Sequence, residues 1–300
     1  IDPVTVDEFR IGVAETYDVI VEPSDNSAYA LFAQSIDRTG FTRGTLTPDA
    51  SWIAPVPDMD PAPILGHREM GMGMGMGMDH SQHQMESMPG MDHSRHEMSG
   101  MSIMDHSQQG GGVDTLGRAG YGSTRDIMHR ATEFGPHVDM RAEAPQSGLS
   151  DPGIGLRNHQ ERYGRRVLRY ADIRNYYPTI DRREPSREIE LHLTGNMSRY
   201  MWSMNGIKFA DAAPVQLTYG ERVRITLVND TMMTHPIHLH GMWSEMETGD
   251  PKYIPRKHTL IVQPGSSISF LVTADAVGRW AFHCHLLYHM PGMFREVRVI

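Results

Sequence analysis

Apolar and polar positions alternate over much of this 300-residue chain, at the period of two that marks a half-buried strand. Residues 4–12, 15–23 and 28–37 are rich in β-branched and aromatic side chains, and 24–27 makes a turn between two of them. This predicts at most four short strands over 1–48, too few for a two-sheet sandwich with its own core. Two readings stay open: a truncated larger β-domain at 1–62, and a small sheet packed on the rest of the chain. Strand signals return from about Arg166. Segments 188–195, 222–229, 258–263, 267–272, 280–283 and 294–300 predict strands, and Met204-Asn205-Gly206 predicts a tight hairpin turn before Ile207-Lys208-Phe209. Regularly spaced short strands, punctuated by glycine and proline and without a long amphipathic helix, predict an all-β Greek-key sandwich of about 135 residues within 151–300.

Between these halves the alternation is lost. Residues 55–63 are proline-rich, and 70–104 hold 11 methionines among glycine, histidine and serine. Met78-Asp79-His80-Ser81-Gln82-His83-Gln84-Met85 recurs 13 residues on as Met91-Asp92-His93-Ser94-Arg95-His96-Glu97-Met98, and a shortened third copy begins at Met104-Asp105-His106-Ser107. That period is too short for a repeat with its own core. Aromatic and β-branched residues are scarce, so 63–150 is expected to be mostly disordered when metal-free. Thioether sulfur is soft and needs no deprotonation, which suits Cu(I), and histidine adds affinity for Cu(II). The repeat reads as a copper-gathering arm through Met78, His80, His83, Met85, Met91, His93, His96, Met98, Met104 and His106. An inert low-complexity spacer is the other reading.

Composition sharpens this picture at one point. The chain has 23 methionines and 17 histidines but a single cysteine, Cys284. One cysteine forms no internal disulfide, so it does not report the redox compartment. A formal net charge of −9 without a dense basic run argues against a nucleic-acid partner. No apolar run approaches the roughly 18–20 residues of a membrane span. The chain opens at Ile1 with no initiator methionine or signal region, so any export signal is expected upstream and the chain is expected to be a fragment.

Two histidine clusters lie close to the C-terminus: His235-Pro236-Ile237-His238-Leu239-His240-Gly241 and His283-Cys284-His285-Leu286-Leu287-Tyr288-His289, the latter followed by Met290 and Met293. On a strand, alternate side chains share a face. His238 and His240 therefore point one way, and His283 and His285 share a face while Cys284 points to the other. A lone cysteine is most often an inert core residue, but a histidine on each side and another five residues on changes the reading. A thiolate, two imidazoles and a weak axial thioether make a blue-copper electron-transfer site. Zinc is the rival metal, yet structural zinc favours several cysteines or finger spacing, and neither is present.

These paired clusters resemble the third-domain copper signatures of multicopper oxidases. Thr231-Met232-Met233-Thr234 before the first cluster, Leu286-Leu287-Tyr288-His289-Met290 after the second, the methionine-rich repeat and the early run Val4-Thr5-Val6-Asp7-Glu8-Phe9-Arg10 look like the CopA/PcoA-type copper-resistance oxidases. The resemblance covers nearly the whole chain, strongest over 187–300 and loosest in the repeat region. It implies a cupredoxin-like fold: 1–62 as part of a second cupredoxin domain, 63–150 as a Met/His-rich copper-binding linker and 151–300 as a third domain. It implies a type 1 copper at His235, Cys284 and His289, a type 2 copper at His238 and a type 3 pair at His240, His283 and His285. Cys284, His283 and His285 would carry the electron transfer, and four electrons would reduce dioxygen to water in the periplasm. Cu(I), and phenols beside it, are the implied reductants, and a periplasmic copper carrier is the implied supplier.

Two departures from that family pattern matter. The family usually places its axial methionine ten residues after the cysteine, where this chain has Phe294, and Met293 stands one residue short. Met293 is the candidate axial ligand, and a site without axial sulfur is the alternative. The family's trinuclear cluster also takes eight histidines, four of them from two His-x-His motifs in its first domain. No histidine precedes His67 here, so only His238, His240, His283 and His285 are available. The chain alone is therefore expected to hold a type 1 copper without a working oxygen-reducing centre. Met242, Glu245 and Met246, just past His240-Gly241, are candidates for a Cu(I) uptake site. His129, His137, His159, His192 and His258 have no motif around them and receive no role. The rival class is a periplasmic copper-binding protein that sequesters the metal without turnover.

Overall fold

In the computed structural model, which describes residues 1–72, 123 and 125–300, the apolar faces of the C-terminal strands meet as two sheets around one core. Strands β1 (Tyr29–Gln34) and β2 (Phe41–Leu46) form a separate antiparallel hairpin, and β3 (Gln146–Ser147) is a short outlier. The sandwich follows in chain order: β4 (Arg187–Asn196), β5 (Met201–Met204), β6 (Val215–Leu217), β7 (Arg222–Asn229), β8 (His235–Leu239) and β9 (Ser244–Met246). It continues with β10 (Arg256–Lys257), β11 (Thr259–Val262), β12 (Ser266–Thr273), β13 (Gly278–Cys284) and β14 (Phe294–Val299). A seven-stranded sheet runs β10-β9-β12-β7-β4-β5 with β3 added on β12, and a five-stranded sheet runs β11-β8-β13-β14-β6. The pairs β4–β7, β6–β14 and β3–β12 are parallel and the others antiparallel. Neighbours in space are rarely neighbours in sequence, and the result is the cupredoxin-like sandwich that the sequence implied.

The period of two explains which side chains meet. Leu191, Leu193, Ile225 and Leu227 enter the core from the larger sheet, and Ile237, Leu239, Phe282 and Val297 enter it from the smaller one. The predicted strands at 188–195, 222–229, 258–263, 267–272, 280–283 and 294–300 all fall on β4, β7, β11, β12, β13 and β14. The expected turn is present too. Asn205 and Gly206 both have positive φ, 52° and 70°, and Met204 bridges Ile207 across them. Among the described residues the one α-helix is five residues long (α1, His159–Tyr163). No helix among the described residues is long and apolar enough to cross a membrane.

The N-terminal reading needs correction. Residues 4–12 and 15–23 form no strands apart from a single bridge, Glu8 to Val167. Alternation alone does not make a strand; a ladder partner must also be in reach. Val19, Ile20 and Val21 stand 61%, 80% and 51% exposed, with no such ladder. The disorder expected across 63–150 also fails at both ends. His67–Met72 closes as a turn, with Met72 N–H donating to His67 O at 3.0 Å, and Glu69 is buried against Arg157. Residues 129–149 lie on the larger sheet, where Asp139 N–H donates to Gly195 O and Gly148 N–H to Ser267 O. Val138, Ala142 and Leu149 are buried there, which gives the segment the apolar anchorage that its composition hid.

A buried polar knot ties residues 1–17 to the sandwich. Glu15 accepts from Tyr170 Oη at 2.7 Å and from Tyr17 Oη at 3.0 Å, and Lys257 Nζ lies 3.0 Å away. Tyr170 Oη in turn accepts the Ile261 N–H of β11 at 2.8 Å. Tyr170→Phe leaves that buried N–H without its partner and takes a donor from a buried carboxylate. It is expected to lower stability by about 1–3 kcal/mol, read as a shifted denaturant midpoint at unchanged slope. An unchanged midpoint would show that water replaces the hydroxyl.

Candidate metal centre

The site grows out of the register of β8 and β13. Cys284 pairs with Ile237, His283 with His238 and Phe282 with Leu239. Cys284 and Phe282 thus face the core, and His283 faces the other side of the five-stranded sheet. Within the core, the start of β8 and the turn after β13 bring three donors together. Cys284 Sγ lies 3.6 Å from His235 Nδ1 and 3.8 Å from His289 Nδ1, and the two Nδ1 atoms are 3.2 Å apart. All three residues are at most 2% exposed.

Burial sets the protonation of this triad. It holds His235 far below the usual imidazole range, and His289 adds to that effect. It takes His289 down to about 4 and pushes the Cys284 thiol up to about 12. Two neutral imidazoles and a soft sulfur therefore converge in an apolar chamber, where a cation that displaces the thiol proton gains a thiolate. That donor set fits copper, which takes one cysteine and two histidines, better than zinc in a structural site.

Neighbouring groups fix the ligand atoms. Thr231 Oγ1 lies 2.6 Å from His235 Nε2, so the opposite nitrogen, Nδ1, is the one turned toward Cys284. The Trp202 ring of β5 stacks on His289 with centroids 3.7 Å apart and planes 21° apart. The turn carrying His289 can lie this close because residue 292 is glycine: a Cβ there would come within 1.9 Å of Trp202 O. Thr231 and Trp202 were not singled out from sequence as site residues. Trp202 lies far from both clusters along the chain, and Thr231 is legible only as a hydroxyl four residues before His235.

Met293 is fully buried in the same core cluster as Cys284, and its carbonyl accepts the Cys284 N–H at 3.0 Å. Phe294 pairs with His283 and stacks on its ring at 5.5 Å and 9°, so residue 294 stands on the imidazole side of the sheet. Met293, not Phe294, therefore belongs to the core on the cysteine side.

Across the strand, His238, His240, His283 and His285 gather with ring centroids 4.5–5.8 Å apart. His283 Nδ1 donates to Cys284 O at 3.0 Å and His238 Nδ1 to His258 O at 2.5 Å, which leaves both Nε2 lone pairs free for a metal. His240 Nε2 and His283 Nε2 are 3.1 Å apart. His240 is exposed and His238 and His285 half-buried, so this imidazole face is open where the triad is closed. His258, unassigned from sequence, borders it at 5.6 Å from the His238 ring.

The expected Cu(I) uptake site at Met242, Glu245 and Met246 is not supported. Met242 and Met246 are 6% and 0% exposed, inside the core. Glu245 is buried and held by Arg222 at 2.8 Å and Arg256 at 3.0 Å. Thioethers that pack a core and a carboxylate neutralised by two guanidiniums offer a passing cation nothing. The repeat ligands Met78, His80, His83, Met85, Met91, His93, His96, Met98, Met104 and His106 lie outside the described residues.

Comparison with known proteins shows what the chain is similar to. Residues 182–300 match the family model described as Multicopper oxidase. The chain is 56% identical over 310 residues to Copper resistance protein A of Escherichia coli, across 100% of this chain and 50% of that protein. It is 56% identical over 300 residues to the Copper resistance protein A homolog of Pseudomonas syringae pv. tomato, across 100% of this chain and 49% of the relative. A blue copper oxidase from Nitrosomonas europaea superposes with a TM-score of 0.35 at 21% identity, over 38% of this chain and 44% of that one. The chain thus spans about half the length of the curated relatives it matches.

Proposed function

We propose that the chain, a homologue of copper resistance protein A that matches the multicopper oxidase family model over residues 182–300, is part of a periplasmic oxidase of copper resistance. The whole enzyme oxidises Cu(I), with phenols as a second substrate class, and reduces dioxygen to water. Four Cu(I) ions supply four electrons, which with four protons convert one dioxygen to two waters. The observation that carries this reading is the back-to-back arrangement on β13: a buried His₂Cys triad on one side of the sheet and four imidazoles on the other.

In this reading His235, Cys284 and His289 would hold a type 1 copper, with the Met293 thioether as a further, weak donor. His238 serves a type 2 copper, and His240, His283 and His285 serve a type 3 pair. A copper held at the triad would supply one-electron redox chemistry. The chain's own part is to keep that triad dry, to hold the imidazoles by Thr231 and Trp202, and to join the two sites through a few backbone bonds. The open imidazole face receives its remaining ligands from outside residues 1–300. Domain roles follow the sequence: 1–62 belongs to a second cupredoxin domain, and the Met/His-rich stretch before the third domain gathers copper.

Oxygen-electrode measurements on a protein with the complete histidine set test the reading. Uptake of one dioxygen per four Cu(I) is expected, and binding of Cu(I) without uptake would favour a sequestering protein. The axial assignment has its own test. Met293→Leu removes a weak electron donor that favours Cu(II), so the reduction potential is expected to rise while the blue colour persists. An unchanged potential would leave the triad without axial sulfur.

A further inference from the structure

A second cluster of metal-binding side chains lies outside the sandwich core, on the opposite face of β4. The short 3-10 turn Ala131–Phe134 and the residues just before it lay His129 and Glu133 against the sheet. There they meet His192 from β4 and Asp230 from the end of β7, and the four donor atoms all lie within 4.8 Å of one another. His192, Glu133 and Asp230 are fully buried, and the His129 side chain is 18% exposed.

Hydrogen bonding decides how these groups face one another. His129 Nε2 lies 3.0 Å from the carbonyl oxygen of Ala142, which only accepts, so this nitrogen carries the proton. His192 Nε2 likewise meets Glu190 Oε1 at 3.0 Å. Each ring then turns its Nδ1 inward to the same two carboxylates. His129 Nδ1 is 2.9 Å from Glu133 Oε2 and 3.6 Å from Asp230 Oδ2, and His192 Nδ1 is 2.7 Å from Asp230 Oδ2 and 3.5 Å from Glu133 Oε2. In neutral imidazoles these inward nitrogens are lone pairs set against acceptor oxygens, which is repulsive. Asp230 is braced from outside, its Oδ1 accepting the Ala142 N–H at 2.9 Å. Glu133 Oε1 is buried and has no hydrogen-bond partner among the described residues.

Two arrangements relieve that repulsion: two imidazolium rings, or one divalent cation at the centre. Burial by itself would lower His192, yet its bonds to Asp230 and Glu190 outweigh this and push it up to about 9. A divalent cation balances Glu133 and Asp230 with both rings neutral, and it offers the stranded Glu133 oxygen a partner. The outer nitrogen of each ring is already bound to a carbonyl or carboxylate, the usual support for a metal-ligating histidine.

We propose that His129, Glu133, His192 and Asp230 form a binding site for a divalent borderline metal ion, Zn(II) or Cu(II), separate from the cysteine centre. The donors are two imidazoles and two carboxylates with no sulfur, which excludes a Cu(I) preference. Occupied, the site ties the 3-10 turn to β4 and β7 and so clamps residues 129–142 onto the larger sheet.

Zinc(II) is the probe, because it is colourless and takes no part in redox chemistry. The chain and its His129→Gln and Glu133→Gln variants are equilibrated with Zn(II) against a competing chelator, and bound zinc is counted by elemental analysis. Each variant is expected to hold one zinc fewer per chain than the wild type, with its circular dichroism and Cu(II)-induced blue colour unchanged. Equal zinc counts in all three proteins would overturn the proposal and leave a hydrogen-bonded imidazolium cluster. If the variants do not fold, zinc-soaked crystals of the wild type decide. An anomalous peak about 2.0–2.2 Å from His129 Nδ1 and His192 Nδ1 upholds the site, and its absence overturns it.

Discussion

The chain is expected to take on an intense blue colour with Cu(II), and Cys284→Ser to abolish it while total bound copper falls by about one ion. The colour of such a site comes from charge transfer between thiolate sulfur and copper, so no imidazole can supply it. Serine is nearly isosteric, and Cys284 is fully buried, so the substitution keeps the shape of the site while exchanging a soft donor for a hard, protonated one. The open cluster of His238, His240, His283 and His285 keeps its own ligands on the other side of the strand and continues to bind metal. Absorption spectra and copper analysis on the same samples read both quantities. A band that survives in the serine variant would remove Cys284 from the copper site and with it the central assignment.

A second large effect separates binding from turnover. Given Cu(I) or a phenol, residues 1–300 alone are expected to bind copper yet consume no dioxygen beyond a slow background. Their open face offers four imidazoles, half of what the family's oxygen-reducing centre uses, and no histidine precedes His67 to complete the set. Joining them to the part of the protein that their relatives carry should switch on four-electron reduction. Deleting 70–106 from that longer enzyme should then leave phenol oxidation nearly intact and weaken Cu(I) oxidation at low copper, because local ligands raise the effective concentration of the metal. Dioxygen turnover by residues 1–300 alone would overturn the shared-ligand reading. Equal loss of both activities on deletion would mean that 70–106 supports folding instead of supply.

The sequence carried the sandwich and the two histidine clusters for the same physical reason. A strand's period of two sorts residues by face, and that sorting is written locally in His238/His240 and His283/Cys284/His285. What escaped it depends on pairing over long distances. Residues 4–12 and 15–23 alternate as well as β4 does, yet they find no ladder, and instead the first of these segments and Glu15 are tied to the sandwich by a bridge at Val167 and by Tyr170 and Lys257. Met242 and Met246 sit beside the clusters in sequence, but the strand that carries Met246 turns it into the core. His129 and His192 had no motif because the four residues His129, Glu133, His192 and Asp230 come from three separate segments. Thr231 and Trp202 act through the atoms they place, which spacing does not reveal.

The contact between Gly292 and the carbonyl of Trp202 has one more consequence. Because the His289 turn is wedged against β5, the ligands of the cysteine centre are held by both sheets at once and not by a free loop. A cavity braced in this way is preorganised: the donors stand where the ion will sit before it arrives. Were copper held there as proposed, a one-unit change in its charge would leave the protein around it little room to relax, so a small reorganisation energy and fast electron exchange are expected. Gly292→Ala would loosen that brace without touching a ligand, and its mark would be a slower electron self-exchange in a chain that still turns blue.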